Sequence, residues 1–273
     1  MAEKAVQLIK GAGDIGSAVA HGFRMAGLRP VVLESPATVV SRRRMAFGAA
    51  LHQPEAMLEG LRAVACTDME AVLACLEGAD CVPVLAAPDW QTPAALAAAV
   101  VVAIDARMRK KESPPVQIGE APLVVGIGPG FVAGRHAHAV VESNWGPGLG
   151  RVLWEGAPEE YTGRHREVEG FGAERYIYAP HAGRFATSHA ILAPVRAGEV
   201  VGRVDDTPLA VTIGGVLRGL AYDGTPVAQG AKLVEVEPRG DPALCIGIAE
   251  RPRRIAEGVI EAVRKNMAEL FAG

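Results

Sequence analysis

Several signals that would announce a reaction are missing from this chain. It has no G-x-S-x-G elbow, no P-loop and no H-E-x-x-H helix, so hydrolase and kinase readings lose their usual anchors. Its four cysteines, Cys66, Cys75, Cys81 and Cys245, form no C-x-x-C pair, and three lie in or beside apolar segments. They read as buried thiols in a reducing compartment. Net charge is only −3, with the charges scattered, which excludes the concentrated basic face that nucleic acid demands. No apolar run is long enough for a bilayer, since the Ala/Val-rich stretch 94–104 ends at Asp105. The first strand starts within a few residues of the N-terminus and leaves no room for a signal peptide. A cytoplasmic protein bound to neither membrane nor nucleic acid is expected.

What is present is a strong α/β pattern. With 273 residues, 49% of them hydrophobic, the chain can bury a good core and divides into two domains. Apolar strands are expected at 6–10, 30–34, 62–66, 81–85, 100–104 and 122–127, with helices near 15–26, 38–50, 68–77, 91–98 and 105–111. This alternation implies a mainly parallel sheet, a Rossmann-like domain over 1–149. The polar, proline-rich stretch 111–121 reads as a surface loop.

Beyond residue 150 the pattern changes to short strands between glycine and proline turns, a β-rich domain over 150–273. Within it Val227, Gly230, Leu233 and Val236 resemble the spacing of the barrel-sandwich module of lipoyl and biotinyl carriers, over about 190–240. Arg218 stands near the hairpin where a carrier has its acylated lysine, so the module is expected to be structural or a docking surface. The final helix, over 253–270, packs on the protein's own core or on a second copy of the chain.

The first candidate site is the strand-to-helix turn Gly11-Ala12-Gly13-Asp14-Ile15-Gly16, a G-x-G-x-x-G followed by a helix, a strand and Glu34. Gly11 permits the turn, Gly13 lets backbone approach a pyrophosphate, and Gly16 lets the helix pack on the sheet. Amides at the helix start would meet phosphate. Glu34 would accept from both ribose hydroxyls. Asp14 either sets a negative charge against that phosphate or caps the helix. The bland reading, a tight turn without a ligand, remains open.

A second glycine loop, 126–134, follows the sixth strand and can form the opposite wall of a crevice through Gly128 and Gly130. After it come His136, His138, Glu142 and Asn144. In a strand the two histidines would face one way and could share an ion with Glu142; otherwise His138 and Glu142 serve in acid–base work or are structural. His181 reads as an exposed turn residue. Arg42-Arg43-Arg44 either reach a phosphate near Glu34 or form a solvated helix face.

Taken together, the segments I-K-G-A-G-D-I-G-S-A-V-A-H, E-S-P-A-T-V-V-S-R-R-R-M-A-F, A-P-L-V-V-G-I-G-P-G-F-V-A-G, H-A-V-V-E-S-N, G-L-G-R-V, G-G-V-L-R-G-L and V-E-P-R resemble the YqeB family of the selenium-dependent molybdenum hydroxylase system, related to XdhC-type maturation factors. The resemblance runs over about 6–263. It implies an accessory role in making or inserting a hydroxylase's molybdenum cofactor. The expected ligand is a molybdopterin-type cofactor or dinucleotide, and the partner is the hydroxylase apoprotein. Where the family pattern has an arginine after the asparagine, this chain has Trp145, which can stack on a pterin or a base. Two other readings stand beside this one: an NAD(P)-dependent oxidoreductase with His138 as acid–base, and a non-catalytic docking scaffold for a hydroxylase.

Overall fold

A computed structural model describes residues 5–109 and 112–271. The chain forms two compact units. The first takes Met1–Pro36, Ala46–Thr162 and Ile248–Gly273, and the second takes Ala37–Met45 and Gly163–Gly247. The division expected at residue 150 is therefore displaced. The second unit also recruits residues from just after the second strand, and the last helix belongs to the first unit.

In the first unit, strands β1 (Val6–Lys10), β2 (Pro30–Glu34), β3 (Ala56–Leu58), β4 (Leu61–Cys66), β5 (Cys81–Ala86), β6 (Val100–Asp105), β7 (Leu123–Ile127), β8 (Ala139–Val141) and β9 (Val152–Leu153) make one sheet. Its order is β3-β4-β5-β2-β1-β6-β7-β8-β9. β1, β2 and β7 are buried along their whole length, which fits their continuous apolar runs. The sheet is mixed, because β3 runs antiparallel to β4 and β9 antiparallel to β8. The β3–β4 hairpin turns through Glu59 (φ 45°) and Gly60 (φ 87°), the paired left-handed conformations that match strand twist.

Helices α1 (Asp14–Met25), α2 (Met69–Glu77), α3 (Ala94–Ala97) and α4 (Glu250–Asn266) complete the unit. α1 buries Ile15, Ala18, Val19 and Phe23 at helical spacing. It packs on α4, where Gly22 leaves the space that the Ile260 side chain fills. Among the described residues no helix is long and apolar enough to cross a membrane.

The second unit contains β10 (Tyr176–Tyr178), β11 (Gly183–Ala186), β12 (Pro194–Val195), β13 (Val200–Val204), β14 (Thr207–Ala210), β15 (Gly215–Leu220), β16 (Pro226–Val227) and β17 (Lys232–Glu237). They form two antiparallel sheets, β10-β17-β15-β12 and β14-β13-β11-β16. Phe185, Val201, Leu217, Leu220 and Leu233 fill a core between them. These findings correct the expected fold class of a Rossmann-like parallel sheet followed by a contiguous carrier-type barrel-sandwich. The large sheet is mixed, and the antiparallel unit is assembled from two separate stretches of chain. Arg43 shows why: it donates to the carbonyls of Leu220 (2.6 Å) and Ala221 (3.1 Å), while Leu220 N donates to Ser41 O.

Other expectations also change. The helix expected over 38–50 is replaced by turns and a 3-10 helix, Phe47–Leu51. Residues 106–109 carry no helix, and 110–111 lie outside the described residues. Cys75 and Cys81 are disulfide-bonded, with Cα atoms 5.3 Å apart. The connection through residues 78–80 brings the end of α2 beside the start of β5. Cys66 and Cys245 alone remain free and buried, so the cysteines no longer argue for a reducing compartment. Burial pushes the Cys245 thiol up to about 11.

The second unit holds two fully buried carboxylates. Glu235 accepts from Arg42 Nε (2.7 Å) and Nη2 (2.9 Å), from Lys232 Nζ (3.2 Å) and from Arg175 Nη2 (3.4 Å). Glu237 accepts from Arg239 Nε (2.6 Å) and Arg218 Nη1 (3.2 Å). Arg42 is thus neither a phosphate ligand nor part of a solvated helix face, and Arg218 is an ion-pair partner. Burial alone would raise the Glu235 carboxyl, but Arg42, Lys232 and Arg218 hold it far below the ordinary carboxylate range.

A depressed folded-state pKa contributes stability above the unfolded value and loses it as pH falls. Denaturant titrations should therefore show constant stability at neutral pH and a progressive loss below about pH 5, as the unfolded-state carboxyl begins to take up protons. Glu235→Gln should be less stable at pH 7 yet show a shallower acid slope. An unchanged acid slope would remove Glu235 from this role.

Candidate functional site

The site is built where β1, β2 and β6 end. Gly11 has φ 108°, and a Cβ there would lie 2.9 Å from Ala106 O. Only glycine allows the turn to press against the segment leaving β6. A Cβ on Gly16 would lie 1.8 Å from Gly11 O, so α1 can sit over the turn only without one. Gly13 differs: nothing lies within 4 Å of its would-be Cβ, and the residue is exposed. It is the N-cap of α1, and no side chain caps the helix there. The helix start therefore presents a positive dipole end at an exposed N-cap, where an anion is favoured. Asp14 Oδ1 accepts from Ile15 N at 3.1 Å, a local contact within that first turn.

Glu34 is 2% exposed. Its Oε2 accepts from Ala12 N (2.7 Å) and its Oε1 from Ser35 N (2.8 Å). Here it locks the glycine turn to the end of β2 instead of presenting its oxygens to solvent. The turn is braced further by Ser17 Oγ, which donates to Ala12 O and accepts from Phe47 N, and by Gly48 N, which donates to Ala12 O.

Beside this turn lies a polar constellation that sequence reasoning missed. Asp105 ends β6 and accepts from Arg107 N (3.1 Å), Arg107 Nε (2.9 Å), Arg107 Nη2 (2.5 Å), Arg109 Nη1 (3.0 Å) and Gln117 Nε2 (2.7 Å). Burial alone would raise its carboxyl, but Arg107, Arg109 and Gln117 hold it below the usual carboxylate range. Lys10, the last residue of β1, donates to Gln117 Oε1 (3.2 Å) and to the Glu120 carboxylate. An open cleft of about 390 Å³ is lined by Lys10, Trp90, Gln91, Thr92, Arg107 and Glu120. The available sequence signals were a lysine directly before the glycine turn and an acid closing an apolar strand.

The second glycine loop does not form an open cradle. A Cβ on Gly128 would lie 2.6 Å from Ser143 Oγ, and one on Gly130 would lie 3.1 Å from Glu112 O. These glycines, at φ 84° and 90°, admit the protein's own chain. Ser143 Oγ is buried without a hydrogen-bond partner among the described residues.

His138 and Glu142 are not brought together. His138 precedes β8 and its Nδ1 accepts from Val124 N at 2.9 Å, whereas Glu142 follows that strand. A strand rise places their backbones roughly 13 Å apart. Glu142 is 1% exposed and accepts from Ser143 N, Asn144 N and Glu159 N, each at 2.7 Å. Asn144 Nδ2 donates to Glu160 O at 3.0 Å. Glu142 and Asn144 thus fasten the turn after β8 to residues 159–160. His136 Nδ1 accepts from Val132 N; burial, and then Arg135, lowers its pKa. Among the described residues no group of three His, Cys, Asp or Glu side chains could hold a metal ion. His181, in the second unit, makes ring-nitrogen contacts with Ala182 O and Thr207 Oγ1.

No family model matches the chain. It is 33% identical over 257 residues to the uncharacterized protein YqeB of Escherichia coli K12, covering 94% of this chain and 47% of that one. The chain therefore spans about half the length of the curated relative it matches. Among solved structures, a succinylglutamate desuccinylase/aspartoacylase from Rhodobacter sphaeroides overlaps 26% of this chain and 23% of its own, at 28% identity and a TM-score of 0.22. The apo ectoine utilization protein EutE (DoeB) from Ruegeria pomeroyi overlaps 81% and 65%, at 12% identity and a TM-score of 0.24.

The three glycines of the first turn differ in what they tolerate. Gly16→Ala should cost about 1–3 kcal/mol or prevent folding, because backbone must move to admit the methyl group. Gly13→Ala, at an open N-cap where glycine is preferred to alanine, should cost no more than about 1 kcal/mol and leave the protein folded. Chemical denaturation of the two variants checks the contrast, and equal effects would refute the packing assigned to Gly16.

Proposed function

We propose, from the premise that this chain belongs to the YqeB family, that it is an accessory protein for maturing or inserting the molybdenum cofactor of a hydroxylase. In this reading it holds a nucleotide-bearing ligand, of the molybdopterin dinucleotide class, at the start of α1. The observation that carries the ligand reading is the uncapped helix start at Gly13, open to solvent at the carboxyl end of β1. There backbone N–H groups and the helix dipole suit a pyrophosphate. Gly11 and Gly16 shape the turn, and Glu34 positions it through Ala12 N. The cofactor is cargo in this proposal, and the partner is the hydroxylase apoprotein that receives it.

The oxidoreductase alternative finds little support in its acid–base residue. His138 lies before β8, away from the helix start, and its Nδ1 is engaged by Val124 N.

Equilibrium dialysis of parent protein and Gly13→Val against molybdopterin dinucleotide and against NAD tests the proposal. Valine adopts the backbone angles of Gly13 (φ −66°, ψ −178°) without strain and projects into the space reserved for the ligand. The parent should bind the dinucleotide, and the variant should bind it at least about tenfold more weakly while showing the parent's circular dichroism spectrum. Equal binding by both, or no nucleotide binding by the folded parent, overturns the proposal. Selective retention of NAD would move the assignment to the oxidoreductase.

A further inference from the structure

Among the described residues, three cations stand at or just beyond the carboxyl ends of β1 and β6: Lys10, Arg107 and Arg109. Opposing them is one deeply buried carboxylate, Asp105, whose oxygens are taken up by Arg107, Arg109 and Gln117. Lys10 is itself only 5% exposed. Of the two positive charges that remain, one is met by Glu120, and this partner is of a different kind. Its side chain is 35% exposed, and it sits in turn structure after Gln117, held by Glu120 N donating to Gln117 O. Asp89 also lines the cleft but is exposed, where solvent screens it. Burying cations is costly unless an anion meets them, so the cleft needs a carboxylate or its equivalent. Glu120 is the one contributor able to leave without unmaking a strand or a helix.

The opposite wall carries a second sign of a ligand site. Trp90 has φ 62°, a left-handed conformation that a bulky L-residue holds only when its surroundings impose it. Its ring faces the Arg107 guanidinium at 5.2 Å. Gln91 and Thr92 follow it into the same cleft and add neutral hydrogen-bonding groups.

We propose that this cleft is an oxoanion subsite, for a phosphate or carboxylate group, in which Lys10 and Arg107 supply the charge and Glu120 fills the anion's place until the ligand displaces it. The subsite deepens the reading given above and rests on it for where the rest of the ligand lies. It adds that the ligand carries an anionic group besides the one at the α1 start.

The test uses a protein in which Trp145→Phe and Trp154→Phe leave Trp90 as the fluorescent reporter, titrated with inorganic pyrophosphate and with malonate. Either anion should change Trp90 emission, because it meets the cation lying on that ring. Glu120→Gln should bind about tenfold more tightly, since the competing carboxylate is gone, and Lys10→Met about tenfold or more weakly. Response to pyrophosphate alone identifies a phosphate subsite; response to both anions identifies one that also takes carboxylates. Unaltered affinity in Glu120→Gln, or full binding by Lys10→Met with a parental circular dichroism spectrum, overturns the subsite. So does pyrophosphate binding that Gly13→Val abolishes and Lys10→Met leaves intact, although the nucleotide reading would then stand. Failure of both parent and Glu120→Gln to bind either anion also overturns it, and leaves the dinucleotide dialysis to decide the other question.

Discussion

The first unit's candidate site depends on one carboxylate. Asp105 gathers a backbone amide, two arginines and a glutamine around the end of β6, and so gives an irregular segment a defined course. Gln117, fixed by its amide nitrogen on Asp105, turns its oxygen toward Lys10 and Arg107. The chain leaving β6 runs under Gly11, at a distance only glycine permits. Removing Asp105 would leave Arg107 and Arg109 without their carboxylate, Gln117 without orientation and Lys10 without one acceptor. A buried charge that orders several neighbours is coupled to all of them.

Glycine plays two physical roles in this unit. At Gly11, Gly16, Gly128 and Gly130 the missing side chain is space that the protein's own chain occupies. At Gly13 it is space that nothing occupies. Motif reading treats the glycines of a turn alike, yet only the second kind leaves room for something from outside. Glu34 makes a similar point for polar groups, because a carboxylate placed where a ribose would be expected is already satisfied by backbone amides and acts through the turn it holds.

What the sequence made legible was what short-range patterning determines. The strands expected at 6–10 and 30–34 match β1 and β2, and those expected at 62–66, 81–85, 100–104 and 122–127 differ from β4 to β7 by a residue at one end, because short, mostly apolar runs mark them. β3, β8 and β9 are three residues or fewer and are set by turns and neighbours, so they escaped and the sheet read as parallel. The glycine turn was legible because its three glycines lie within six residues, although the segment that presses on Gly11 lies far along the chain. The cleft was not: Lys10 meets Gln117 and Glu120 across separations of 107 and 110 residues, and no local pattern encodes such a pairing. Arg42 meets Glu235 across 193 residues, which is why the arginine run read as a phosphate contact or a solvated helix face. His138 and Glu142 erred in the other direction: four positions apart in sequence, they are held apart by an extended strand.

The order in which the two units draw on the chain has a consequence for synthesis. α1 belongs to the first fifth of the chain, yet the helix that packs on it, α4, begins at Glu250. At a translation rate of about 5–20 residues per second, the apolar face of α1 waits roughly ten seconds to most of a minute for that partner. The second unit is translated within that interval. A nascent chain therefore carries a nearly finished sheet with one helix uncovered, the kind of surface that chaperones bind. Slow codons after Gly247 would prolong that exposure without changing any residue.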